Sequence, residues 1–203
     1  MTVTIYYDYV CPYVYRVGVW LDLLVEQGVD VRPAWRYFSL TQINNKEPDW
    51  YVWQEPVDNP RGWQEERRLR GLRAQWAAEA ARQQGAEVFR RFHLALLKAI
   101  HEEGLSLDGD QATRHAAESA ALDLARWEQD RQDLTFLDAI RRDHEAATAQ
   151  GIFGTPTFVF DGALPAYLKL TDVPRGPESR SYWEEFSQVV AARPLFREIK
   201  RLH

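Results

Sequence analysis

The sequence predicts an α/β fold in which one sheet is interrupted by an all-helical insertion. Three observations predict it. Residues 1–40 run from strand-like to helix-like and back to strand-like composition. Residues 64–150 read almost entirely as helix. At Gly151 the pattern returns to strand and then closes on a last helix. The order β-α-β, a block of helices, then β-β-α lets the two outer parts build one mixed sheet covered on both faces. The expected boundaries are 1–62 and 151–203 for the sheet domain and 63–150 for the insertion. A site is expected where the two meet.

Residues 3–9 are β-branched and aromatic, as strands are. Pro12 then suits a first helical turn, where its missing N–H is no loss. Val14, Val17, Trp20, Leu21, Leu24 and Val25 recur at helical spacing, and Gly28 stops that helix. Residues 29–40 read as a second strand. Residues 41–63 hold Trp50, Trp53, Trp63 and three prolines, which reads as a long aromatic loop of the kind that forms lids or binding segments. Trp53 is either part of a substrate-facing wall or part of a local core that anchors the loop.

In the helical block, Gly85 and Gly104 end the first two helices, and Val88, Phe89, Phe92, Leu96, Leu97 and Ile100 share one face of the second. Residues 110–121, 123–130 and 134–150 follow, with Asp110 and Asp123 as expected N-caps. Residues 152–160 then read as a strand. Asp161-Gly162 is a two-residue hairpin signal, with residues 167–170 as the return strand. A Pro/Gly loop leads to a helix over residues 182–192 and a short basic tail.

Composition narrows the function. Hydrophobic residues are 45% and charged residues 27%, which is globular, and the length allows a sizeable core. The formal net charge of -5 opposes the basic face that nucleic-acid binding needs. The arginines at 67, 68, 70 and 73 are interleaved with Glu65 and Glu66, as on a solvated helix face. No run of about 18 apolar residues suggests a membrane span. The histidines lack partners at metal-ligand spacing, so no metal site is expected. The N-terminus reads as a strand rather than a secretory leader, and one cysteine permits no internal disulfide. The expected compartment is the cytoplasm.

The single cysteine carries the chemistry. Cys11 follows a strand and opens a helix, where the first N–H groups sum to roughly half a positive charge. A thiolate at such a terminus is stabilised, and the thiolate is the form that attacks disulfides and electrophiles. The bland alternative is a small buried hydrophobe. Arg16, one turn on, either adds positive charge or points to solvent. Thr155-Pro156 places a proline at a strand entrance beside Gly154. That suggests a tight turn with a cis peptide whose exposed backbone pairs with an extended substrate or a peptide-like thiol.

The motif Asp8-Tyr9-Val10-Cys11-Pro12-Tyr13-Val14-Tyr15 resembles the active-site motif of DsbA-family thioredoxin-fold proteins. Gly151 to Phe160, with Gly154-Thr155-Pro156-Thr157, resembles that family's cis-proline strand, and the helical insertion is similar in size and position. The resemblance implies a thioredoxin-like fold. It implies Cys11 as nucleophile, Pro156 as the cis-proline facing it, and Thr155 as the residue whose backbone meets the substrate. Pro12, Tyr13 and Val14 complete the binding motif. Redox members carry a second cysteine where this chain has Val14, so a mixed disulfide at Cys11 needs an outside thiol to resolve it. The kappa-class glutathione transferases and 2-hydroxychromene-2-carboxylate isomerases are similar in layout but usually carry serine in place of Cys11. They bind glutathione at the helix start and the cis-proline, and a loop corresponding to residues 37–46, with Asn44, helps hold their substrate.

The resemblance therefore implies a monothiol oxidoreductase acting on small or protein disulfides. It has no tightly bound cofactor, and glutathione or another small thiol is the co-substrate. A glutathione-dependent transferase or isomerase is the alternative, and a non-catalytic peptide-binding module is a second one. Neither nucleic acid nor membrane is an expected partner, and a homodimer is left open.

Overall fold

The computed structural model describes residues 1–193. The basic tail expected after the final helix lies beyond them. The chain begins with β1 (Thr2–Tyr7), α1 (Pro12–Glu26) and β2 (Arg32–Tyr37), and continues into a short α2 (Leu40–Asn44) and a 3-10 turn at Val52–Gln54. Five helices follow: α3 (Trp63–Arg82), α4 (Ala86–His101), α5 (Gln111–Ser119), α6 (Leu124–Asp130) and α7 (Phe136–Ala149). Then come β3 (Thr157–Val159), β4 (Ala166–Tyr167) and α8 (Glu178–Ala192).

The four strands form a mixed sheet in the order β2-β1-β3-β4. β1 runs parallel to β2, with Ile5 opposite Trp35, and antiparallel to β3, with Ile5 opposite Phe158. Successive strand residues face opposite sides of a sheet, and the packing follows that alternation. Val3, Ile5, Tyr7 and Phe158 enter the main core, with Trp20 and Leu24 of α1 and Trp183 of α8. Tyr6 faces the other way and packs with Phe38, Ala147 of α7 and Ile152. The fold is thioredoxin-like with the helical insertion spanning α3–α7, as the sequence predicts.

The insertion shares that main core with the sheet. Phe92, Leu97 and Trp127 belong to the same buried cluster as Ile5 and Val17. α1 approaches α4 so closely that a Cβ on Gly18 would sit 2.7 Å from Leu97 Cδ1. Polar ties cross the same boundary. Gln75 of α3 donates to the Phe38 carbonyl at 3.2 Å, and Asp143 of α7 accepts from the Tyr37 N–H at 3.1 Å.

Three local expectations are corrected. Residues 41–63 are not one loop. Ser39 accepts from the Gln42 N–H and caps α2, and the Gln42 side-chain oxygen in turn accepts from the Val52 N–H, which pins the 3-10 turn. Asp161-Gly162 does not close a two-residue hairpin. Thr157 pairs with Tyr167, β4 is two residues long, and the connection spans residues 160–165. Asp123 caps α6 through the Arg126 N–H, but Asp110 makes no side-chain cap. Its carboxylate instead holds Arg131 at 2.7 Å and Arg73 at 3.1 Å, two guanidinium partners that outweigh one amide.

Candidate functional site around Cys11

Cys11 is the N-cap residue of α1, and Pro12 is the first helical residue. Its position is fixed from both sides in sequence. The Cys11 N–H donates to the Asp8 carbonyl at 3.1 Å, which closes a turn at the end of β1. The Asp8 side chain is buried and accepts from the Leu40 N–H at 2.8 Å and the Val10 N–H at 3.2 Å. α3 passes directly over that carboxylate, and a Cβ on Gly71 would lie 3.0 Å from Asp8 Oδ1. Burial raises the Asp8 pKa to about 6, against the opposing pull of those N–H groups. His101 at the end of α4 donates from Nε2 to the Tyr9 carbonyl at 2.9 Å. The insertion thus holds the turn that carries the cysteine.

The Thr155-Pro156 peptide is cis. Cys11 Sγ donates to the Thr155 carbonyl at 3.2 Å, across 144 residues of sequence. The two motifs therefore meet. Cys11 is 5% exposed, and Thr155 and Pro156 are buried beside it. Pro12 is exposed above it and Tyr13 is half-buried. On the far side of the turn, the Leu168 N–H donates to the Pro156 carbonyl at 3.1 Å. The Tyr167 ring packs on Gly154, where a Cβ would meet it at 3.4 Å, and Phe153 meets that ring edge-on at 5.2 Å. Phe153 is 67% exposed.

The other expected site residues divide. Val14 is wholly buried in the core, so it does not face a substrate docked at the surface. It lies one helical turn inside the α1 terminus, with its N–H bonded to the Cys11 carbonyl. Asn44 is exposed, and its amide donates to the carbonyl of Leu40 within its own helix. Trp53 stacks on Tyr51 and packs against His144 of α7, which places it on the α7 side of the molecule. For Trp50 and Trp53 the local-core reading fits the contacts better. Trp50 carries the Arg68 guanidinium 3.8 Å from its ring centre and donates to Glu55. Arg16 does not point to solvent, and its guanidinium lies 5.3 Å from the Tyr13 ring centre. Its Nη1 donates to the Leu170 carbonyl at 2.7 Å and clamps the segment after β4 to α1.

That clamp brings in a residue the motifs did not point to. Lys169 is exposed, with its ammonium 5.1 Å from the Tyr13 ring centre and 5.5 Å from that of Tyr167. A hydrogen bond to Tyr167 is the main reason its pKa is raised, and Cys11 is among the lesser contributors. No sequence signal marks this lysine, because the β3–β4 register and the Arg16 bond place it.

A cavity of about 780 Å³ lies where sheet and insertion meet, along the outer edge of β2 between α1, α4 and α7. Cys11 is not in its lining. Among the described residues no helix is long and apolar enough to cross a membrane, and no cluster of His, Cys, Asp or Glu is arranged to hold a metal ion.

Residues 2–175 match the family described as DSBA-like thioredoxin domain. The chain is 26% identical over 201 residues to Uncharacterized protein Rv2286c of Mycobacterium tuberculosis, covering 98% of this chain and 81% of that protein. A thioredoxin-like oxidoreductase from Silicibacter pomeroyi superposes with a TM-score of 0.57 at 23% identity, over 93% of this chain and 85% of its own. A 2-hydroxychromene-2-carboxylate isomerase superposes with a TM-score of 0.61 at 15% identity, over 93% and 94%. At these identities the two solved structures speak for the fold.

Proposed function

Because the chain belongs to the DSBA-like thioredoxin domain family, we propose that it is a monothiol thiol-disulfide oxidoreductase working through Cys11 in the reducing cytoplasm. The observation that carries this reading is the 3.2 Å contact between Cys11 Sγ and the Thr155 carbonyl at the cis-proline turn. A cysteine that merely filled the core would not need to meet a backbone acceptor from 144 residues away at the mouth of a helix.

The chemistry runs in two balanced exchanges. The Cys11 thiolate attacks one sulfur of a disulfide, a Cys11–sulfur bond forms, and the other sulfur leaves as a thiolate with the electron pair. The α1 terminus favours negative charge at this end of the helix. Once Cys11 gives up its proton, the Thr155 carbonyl loses that donor and is free to accept an N–H from a substrate backbone. Val14 supplies no second thiol, so the thiolate of a small thiol such as glutathione attacks the substrate-derived sulfur of the mixed disulfide, a new disulfide forms between those two sulfurs, and the Cys11–sulfur bond breaks with Cys11 leaving as the thiolate with the electron pair.

Intact mass spectrometry after exposure to oxidised glutathione tests this. The expected result is one glutathione adduct per chain at Cys11, discharged by reduced glutathione, with steady reduction of hydroxyethyl disulfide when both are present. Absence of any adduct on the folded protein would overturn the reading.

One observation favours a second reading, a glutathione-dependent transferase or isomerase. Cys11 is 5% exposed, and its thiol is already engaged as a donor. In that reading glutathione binds at the turn without forming an adduct, protects Cys11 from alkylation, and supports turnover of an electrophile.

A further inference from the structure

We propose that Lys169 is the specificity-determining residue of the Cys11 site and selects disulfides that carry a carboxylate close to the sulfur. This rests on the thiol-exchange reading above and goes further by naming the charge of the substrate.

The argument starts from what surrounds the sulfur. A disulfide reaching Cys11 must come over the exposed Pro12 and the rings of Tyr13 and Tyr167, with Phe153 beside them. Lys169 stands over both tyrosine rings. The β3–β4 pairing fixes Tyr167 opposite Thr157, and the Leu168 N–H holds the Pro156 carbonyl. The lysine is therefore attached, one residue on, to the backbone that faces the thiol. Arg16 bonds the Leu170 carbonyl on the other side of it, so the segment is tied at both ends.

Among the described residues its ammonium makes no ion pair with an acid. Elsewhere Arg90 is paired with Asp22 and Glu87, and Arg141 with Glu145, while Arg16, the other cation beside Tyr13, is bonded to the Leu170 carbonyl. The groups acting most on Lys169 are Tyr167, Tyr13 and Cys11, none of them a carboxylate. An exposed cation held near two aromatic faces is positioned by them but not neutralised. An anionic substituent on the incoming disulfide supplies the missing partner, while the aromatic rings accept the methylene groups next to the sulfur. A cationic substituent meets like charge instead.

The test compares the rates at which Cys11 forms mixed disulfides with dithiodiglycolate, cystamine and hydroxyethyl disulfide, which are anionic, cationic and neutral. Each charged rate is divided by the neutral rate, and the anionic-to-cationic ratio is the readout. At a separation of ~8 Å in water, Coulomb's law predicts that this ratio falls about fivefold in Lys169→Gln and about thirtyfold in Lys169→Glu. Added salt should shrink the wild-type ratio toward that of Lys169→Gln. Adducts that form with an unchanged ratio in both variants would overturn this inference and leave the thiol-exchange reading standing. Failure of the wild-type protein to form an adduct with any of the three would overturn both.

Discussion

Cys11→Ser is expected to abolish glutathione-dependent reduction of hydroxyethyl disulfide and to remove the glutathione adduct, while changing the unfolding free energy by less than about 1.5 kcal/mol. The two halves of this expectation have different causes. Serine cannot take part in disulfide exchange, because the reaction requires a sulfur–sulfur bond and a sulfur leaving group. The chain has no other cysteine to substitute for it. The fold should tolerate the change, because a serine hydroxyl can donate to the Thr155 carbonyl that Sγ now uses. Activity assays and urea unfolding on the same preparation check both halves. Retained adduct formation would show that the mass gain lies elsewhere. A collapse of stability would mark the sulfur as a packing group first. Unchanged binding of an extended peptide in the variant, with no exchange activity in the wild type, would support a peptide-binding module instead.

The second large effect is a loss of stability in mild acid, set by two buried histidines. His93 sits among Tyr7, Trp35 and Phe89, with Nδ1 3.0 Å from the Tyr9 hydroxyl. Burial pushes its pKa down to about 3, with the Arg82 charge adding to the shift. His144 packs between Phe38 and Trp53, and burial takes it down to about 4. In the unfolded chain both titrate near 6.5. Below that pH the unfolded chain therefore binds protons that the folded chain refuses. The contribution of each histidine is complete above about 6.5 and is lost as the pH falls toward the folded value.

Asp8 works in the opposite sense. Its folded pKa of about 6 lies above the ordinary aspartate value of 3.8. Its contribution is complete below the lower value and is lost as the pH rises through the upper one. Burial lowers the His101 pKa and raises that of Asp143, two shifts of opposite sense that offset each other, so between pH 6 and 4 the balance of His93 and His144 against Asp8 is two protons against one. Stability should then fall by about 1.4 kcal/mol per pH unit on acidification. Urea titrations across this window check it. His93→Phe should nearly flatten the slope, and Asp8→Asn should roughly double it, whatever each does to absolute stability. Equal slopes in all three proteins would remove the histidines from the account.

The reach of the sequence followed the range of the interactions. Local chemistry was legible. The β-branched run, Pro12 at the first turn of α1 and Asp123 ahead of α6 each act on near neighbours, and those elements formed where expected, whereas the strand expected over residues 152–160 is confined to Thr157–Val159, after the cis peptide. α2 was legible too, since Ser39 followed three residues later by Gln42 is a capping pattern, but the tryptophans and prolines after it drew the reading toward loop. The hairpin was misread because Asp161-Gly162 specifies a turn and not a register. The register comes from Thr157 meeting Tyr167.

The site divides in the same way. Cys11 and the Thr155-Pro156 turn announce themselves through conformational demands visible in a few residues. Asp8, His101 and Lys169 do not. Their roles depend on partners or neighbours far away in the chain: Leu40 for Asp8, Tyr9 for His101, and Tyr13 for Lys169. Val14 was drawn into the expected site by its place in the motif, although the helical period that put Val17 and Trp20 in the core also put Val14 there.

The central claim is that this fold makes its one sulfur more reactive toward disulfides than an ordinary thiol, despite its burial. The most direct measurement is the rate of mixed-disulfide formation with oxidised glutathione, at one pH, for the native chain and for the same chain unfolded in urea. The account predicts that the native protein reacts faster. A native rate below that of the unfolded chain would contradict it, because folding would then be protecting the sulfur.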